Sequence, residues 1–147
     1  MKRLAVYPLL LAFTALAAGP EEKAVLAVVQ GFFDVLASRD AAAGRELLAD
    51  GGQFTIVTID KDKVVTRIRT FADFLSTIGA GKEKLLERMQ NPKVEIHGPI
   101  ASVWTKYDFQ RDGKFSHCGV DGFHLVKSGN AWKITGAIYT VEKDGCL

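Results

Sequence analysis

The chain has 147 residues, 48% hydrophobic and 24% charged, the composition of an ordinary globular protein with room for one core. Its 19 Lys and Arg stand against 17 Asp and Glu, and two of the basic residues, Lys2 and Arg3, fall in an N-terminal segment set aside below. The remainder is formally balanced, so no clustered basic face is expected and nucleic acid is excluded as a partner.

Residues 1–19 read as a secretory signal peptide. Lys2 and Arg3 form a short positive start, Leu4 to Leu16 is an apolar run too short for a comfortable membrane span, and Ala15-Leu16-Ala17 or Ala17-Ala18-Gly19 offers small residues for cleavage. An uncleaved anchor is the alternative. Cleavage leaves residues 20–147 as a single periplasmic or secreted domain with no stable membrane insertion. Export puts Cys118 and Cys146 in an oxidising compartment as an even pair, which makes a disulfide plausible. Against it, Cys146 lies beyond the last expected strand, so the tail must curl back to bring the Cα atoms within about 7 Å.

Pro20, Glu21 and Glu22 mark a helix start, and Val25, Val29, Phe32, Phe33 and Leu36 recur at helical spacing to about Ser38. Asp40 caps a second, shorter helix expected to end at Asp50-Gly51-Gly52. Phe54 to Ile59 and Val64 to Ile68 are β-branched strands around a polar turn. Thr70 and Asp73 resemble a capping box for a third helix, which Gly79-Ala80-Gly81 interrupts and Lys82 to Met89 continues. From there the pattern is strand: Lys93 to His97, Ala101 to Gln110, Phe115 to Val126 and Ala131 to Val141, with glycine turns at Arg111-Asp112-Gly113-Lys114 and Lys127-Ser128-Gly129-Asn130. The fold class is therefore α+β, a curved antiparallel sheet forming a cone, packed on three helices from the N-terminal half.

Alternation sorts the polar residues of FSHCGVDGFHL (115–125). His117, Asp121 and Phe123 share one face; Cys118 and His124 share the other. Pairing with the last strand sets Asp121 and Phe123 beside Trp132, Ile134, Gly136 and Ile138, an apolar set that marks the inward side. Lys133, Thr135, Tyr139 and Val141 would face out. An inward carboxylate is costly unless hydrogen-bonded, and burial raises its pKa; a structural aspartate held by a hydroxyl or amide is the bland alternative. His117 reads either as a rim histidine or as a base. On the preceding strand, a two-residue Asp112-Gly113 turn would send Trp104, Lys106 and Asp108 inward. A longer loop with a bulge would send in Val103, Thr105, Tyr107 and Phe109, the more apolar and preferred set.

No metal is expected, because His117 and Cys118 point to opposite faces and no pair has zinc-ligand spacing. Gly79-Ala80-Gly81-Lys82 lacks the Ser or Thr and the preceding strand of a phosphate loop. No nucleophile elbow is present.

The element order resembles the nuclear transport factor 2-like superfamily, which includes ketosteroid isomerases and SnoaL-like proteins. VVQGFFDVLASRD (28–40), VDGFHLVKSGNAWKI (120–134) and AIYTVE (137–142) carry the similarity, and SHCGVDGFHLV with the terminal Gly-Cys looks most like the bacterial group labelled "putative lumazine-binding". By that resemblance the oxyanion-stabilising acid of the isomerases falls on Asp121. Their tyrosine falls near Phe32, which lacks a hydroxyl. Their base falls near Ile56, with no carboxylate between Gln53 and Ile59. Ketosteroid enolisation by that mechanism is not expected.

The leading expectation is an exported domain, without catalysis or cofactor, that binds a small apolar or aromatic molecule. Asp121 would be its polar anchor and Phe32, Tyr107, Phe123 and Trp132 its walls. The alternatives are an isomerase, dehydratase or cyclase using Asp121 and His117 with Tyr107, and a homodimeric interaction module pairing through the sheet.

Overall fold

The computed structural model describes residues 19–61 and 63–146. Nearly all of the expected signal segment lies outside them. Helix α1 runs Pro20–Ser38, with Pro20 in its first turn, and buries Val25, Val29, Phe32, Phe33 and Val35. It closes on Arg39, whose φ of 58° is left-handed and whose N–H bonds Val35 O at 2.8 Å. Helix α2 (Ala41–Leu47) is capped by Asp40, whose carboxylate accepts from the N–H groups of Ala42 and Ala43 at 2.9 and 3.0 Å. It stops short of the expected glycines. Strand β1 (Leu48–Asp60) begins at once, because Leu48 already pairs with Ile134.

Strand β2 (Lys63–Thr70) returns antiparallel, and α3 (Phe71–Thr77) opens on the Thr70–Asp73 contact, Thr70 Oγ1 donating to Asp73 Oδ2 at 2.6 Å and accepting the Asp73 N–H at 3.0 Å. A 3₁₀ turn at Ile78–Ala80 follows. Then come β3 (Leu85–His97), β4 (Ile100–Arg111), β5 (Lys114–Ser128) and β6 (Ala131–Val141). The sheet order is β2-β1-β6-β5-β4-β3, antiparallel throughout except for the parallel β1–β6 pair.

Three expectations are corrected. Lys82 to Met89 does not continue a helix. Leu85 to Gln90 pair residue by residue with Arg111 to Lys106 of β4, and ladder formation overrides the helix-favouring composition. A bulge at Asn91-Pro92 is tolerated because β3 is an edge strand. In β4 the preferred inward set, Val103, Thr105, Tyr107 and Phe109, is the one observed, but the turn has two residues, Asp112 and Gly113 at φ 52° and 74°, rather than a longer loop. A bulge at Ser116 restores the apolar register that the short turn alone would have reversed. In β6 a further bulge, at Thr135, turns Ala137 and Tyr139 inward instead of Gly136 and Ile138. Ile138 is 42% exposed.

The helices cover the concave face of the sheet. Phe32 sits at the centre of the core, its ring 5.4 Å from Phe54, 5.6 Å from Phe74 and 6.0 Å from Phe123 between centroids. Each such ring contributes about 1.5–3 kcal/mol by burial. The aromatic cluster closes only part of the cone.

Candidate functional site: an acid pair in an aromatic cavity

The open part is a cavity of about 340 Å³ between the helices and the inner sheet face, within the usual range for small-molecule sites. Phe32 and Leu36 from α1, Phe54 from β1, Phe74 from α3 and Phe123 from β5 supply its apolar wall. Asp121, Glu87, Tyr107, Tyr139 and His117 supply its polar lining, and Arg39, Arg69 and Arg111 also border it.

Asp121 stands on β5 opposite Thr105 and Tyr139, and is 3% exposed. Its Oδ2 is buried and receives no hydrogen bond from an N–H or hydroxyl among the described residues. The Glu87 carboxyl, reaching in from β3, lies in hydrogen-bonding contact with it. Two carboxyl groups can bond only if one carries a proton. Burial raises both, and the hydrogen bond from Glu87 partly offsets this for Asp121, which is pushed up to about 7. Glu87 goes well above the usual range, with the Asp121 charge and that bond adding to burial. That bond raises Glu87 and lowers Asp121, so Glu87 is the donor and Asp121 the acceptor of the shared proton.

Tyr107 is buried beside the pair but commits its hydroxyl to the sheet, donating to Thr140 O at 2.7 Å. Burial, then the Asp121 and Glu87 charges, push its ionisation far up. Gly119 makes this placement work, since a Cβ there would collide with Thr140 O and the Tyr107 ring. Tyr139 is likewise pushed up to about 12, mainly by burial. His117 stacks on Phe109 at 4.7 Å with its Nδ1 3.1 Å from Ser116 Oγ. Burial and then Arg111 push its pKa down, so it is neutral at pH 7. No hydrogen bond joins His117 to Asp121 among the described residues.

The structure thus gathers Phe32, Tyr107, His117, Asp121 and Phe123 around one space. Trp132 is not among them, which corrects its expected place in the wall. It lies near the turn end of β6, where its Nε1 donates to Glu21 Oε2 at 3.1 Å. Cys118 and Cys146 are joined by a disulfide with Cα atoms 5.7 Å apart, and Cys118 also exchanges backbone hydrogen bonds of 2.9 Å with Glu142. Sequence reasoning missed Glu87 because LLERM carries strong helix formers. The available signal was the alternation of Leu85, Glu87 and Met89 against Leu86 and Arg88.

A helix-backed curved sheet with a cavity at its concave face defines the nuclear transport factor 2-like class. Solved structures with that description agree in fold. One from Cytophaga hutchinsonii matches with a TM-score of 0.68 at 13% identity, over 84% of this chain and 99% of that one. One from Shewanella baltica gives 0.58 at 19% identity, over 84% and 95%. One from Streptomyces avermitilis, described as a "putative dehydratase" of that family, gives 0.62 at 14% identity, over 81% and 94%. None of the curated proteins compared with the chain matches it. The family model described as "Putative lumazine-binding" matches residues 20–140, and the chain belongs to that family. The family's description points to small-molecule binding.

Proposed function

We propose that the protein is an exported small-molecule-binding domain whose ligand enters the cone cavity, lays an apolar or aromatic body against Phe32, Phe54, Phe74 and Phe123, and hydrogen-bonds the Asp121–Glu87 pair. The observation that carries this reading is the buried Asp121, whose Oδ2 takes no hydrogen bond from an N–H or hydroxyl among the described residues, in an aromatic cavity of about 340 Å³. A buried polar atom without a donor costs about 1–3 kcal/mol, and a ligand N–H or O–H offsets it. The Cys118–Cys146 disulfide supports export, because such bonds persist in oxidising compartments. Thermal-shift and fluorescence screening against flavins, pterins, sterols and aromatic polyketides tests the proposal. At least one class should raise the melting temperature, and Asp121→Asn should weaken it ten-fold or more while leaving the near-ultraviolet circular dichroism unchanged. Absence of any ligand-induced shift across the panel counts against it.

A second reading rests on the same pair. A protonated carboxyl beside a carboxylate is the equipment of a general acid and a general base, which favours an isomerase, dehydratase or cyclase with Glu87 rather than His117 as partner to Asp121. Turnover lost in both Glu87→Gln and Asp121→Asn but retained in His117→Gln would select it.

The outer sheet face supports a homodimer. Trp104, Gly122, Ile138, Thr55 and Ile68 lie in one row across five strands, with Trp104 58%, Ile138 42% and Ile68 63% exposed. Tyr139, expected on this face, is absent from it. A strict monomer by light scattering at high concentration would remove the proposal.

A further inference from the structure

Charge is distributed unevenly around the cavity. The acid pair shares a proton and contributes at most a single negative charge, whereas Arg39, Arg69 and Arg111 all line the space. Arg39 is already committed. Its guanidinium donates to Ile78 O at 3.1 Å, to Glu83 O at 2.8 and 3.2 Å, and to Glu83 Oε2 at 3.0 Å. Arg69 is not so balanced. It donates to Thr77 Oγ1 and lies over the Phe74 ring with its Cζ 5.2 Å from the centroid. Among the described residues no carboxylate stands within ion-pair distance of Arg69 or Arg111. Arg69 is also partly buried, so its charge is less well hydrated than that of an ordinary surface arginine.

The two polar regions are separated along the sheet. Asp121 is on β5 and Arg69 on β2, three strand spacings apart through β6 and β1 and two residues out of line, or about 16 Å between backbones. The inward reach of both side chains across a concave surface shortens that span. Between them lie Phe54, which pairs with Arg69 across the ladder, and Tyr139, which pairs with Asp121.

Resting on the reading that the cavity binds a small molecule, we propose that its ligand is a small organic acid. Its carboxylate is held by Arg69, its aromatic or polyunsaturated body lies on Phe54 and Phe74, and a hydroxyl or N–H at its far end donates to the Asp121–Glu87 pair. A planar carboxylate matches the fork of a guanidinium and makes charge-assisted bonds that a neutral ester cannot. A cationic ligand is disfavoured at the Arg69 end of the cavity by its uncompensated guanidinium.

Matched probes test the class. Isothermal titration of the full-length disulfide-bonded protein would compare 4-hydroxycinnamate and 6-hydroxy-2-naphthoate with their methyl esters, and with cinnamate and 2-naphthoate, which lack the distal hydroxyl. The hydroxy acids should bind about ten-fold or more tighter than their esters and tighter than the acids without hydroxyl. Arg69→Gln should reduce the acid-over-ester preference to near unity, and Arg69→Lys should retain part of it. Esters that bind as well as acids to the wild-type protein overturn the proposal while leaving the cavity-binding reading in place. Arg69→Gln with an undiminished preference does the same. Failure of both acids and esters to bind defeats both. The wild-type ratio needs no variant, so a poorly folding substitution does not blunt the test.

Discussion

Asp108 on β4 and Asp121 on β5 occupy neighbouring strands, both largely withdrawn from water, yet they ionise in opposite directions. Asp108 faces the outer side of the sheet. There Arg88 donates from Nε to both carboxylate oxygens at 3.1 Å and from Nη2 to Oδ2 at 2.5 Å, and Gln90 adds a bond of 3.1 Å. The Arg88 hydrogen bonds hold its pKa below the usual range. Asp121 faces the cavity, where its nearest polar partner is another acid and burial drives the pKa up. The same functional group is a finished structural contact on one face and an unfinished one on the other. Only the unfinished one has hydrogen-bonding capacity left for a ligand.

The largest expected effect separates global stapling from this local contrast. Replacing both Cys118 and Cys146 by Ser, which removes a cross-link spanning 28 residues, should cost about 3–4 kcal/mol in urea unfolding. Because Cys118 faces outward, the pH slope contributed by the inner acid pair should survive. A changed slope would show that the faces are coupled.

Next comes the acid pair itself. The folded-state pKa of Asp121, near 7, exceeds the unfolded value of about 4, so the native state binds the extra proton. Its stabilising contribution is complete below pH 4 and lost as pH rises through 7. Asp121→Asn should therefore flatten stability between pH 4 and 8 and raise it at pH 8 by up to about 4 kcal/mol. A variant less stable than wild type at pH 8 would make Asp121 a structural residue like Asp108.

Asp108→Asn should behave in the opposite sense. Its depressed pKa contributes stability above about pH 4 that fades as pH falls through the folded value. The half-exposed Arg88 limits the loss at pH 7 to about 1 kcal/mol, and the difference from wild type should shrink as pH falls below about 4. The smallest effect concerns the outer row. Trp104→Lys should change monomer stability by less than about 0.5 kcal/mol, while sedimentation should show a lower association state if the row pairs two copies.

Much of this architecture was legible from local chemistry. Pro20, Asp40 and Thr70 mark helix starts by capping geometry that depends only on near neighbours, and alternation alone puts Asp121 on the inner face. The bulges at Asn91-Pro92, Ser116 and Thr135 could not be placed from sequence, because each is set by how one strand registers against another. The bulge at Ser116 keeps Tyr107 on the inner face that its apolar set already suggested, and the one at Thr135 turns Tyr139 inward against expectation. Glu87 was hidden for a related reason: in isolation KLLERM favours a helix, and only pairing with β4 makes it a strand. The site's second acid thus depended on a non-local contact, whereas its first did not.

The parallel pairing of β1 with β6 carries a kinetic consequence. β6 sits between β1 and β5, so the sheet is continuous only after the last strand of the chain has been inserted between two that precede it. Until then Phe54, Phe71 and Phe74 have no complete wall to close against, and the ladder that joins them to β5 spans most of the sequence. Non-local pairing of this kind slows folding and leaves apolar surface open to aggregation in the interval. A chain delivered N-terminus first would spend its emergence with that aromatic cluster uncovered. Truncation at the β5–β6 turn should leave a sticky, incompletely formed sheet rather than a smaller version of the domain.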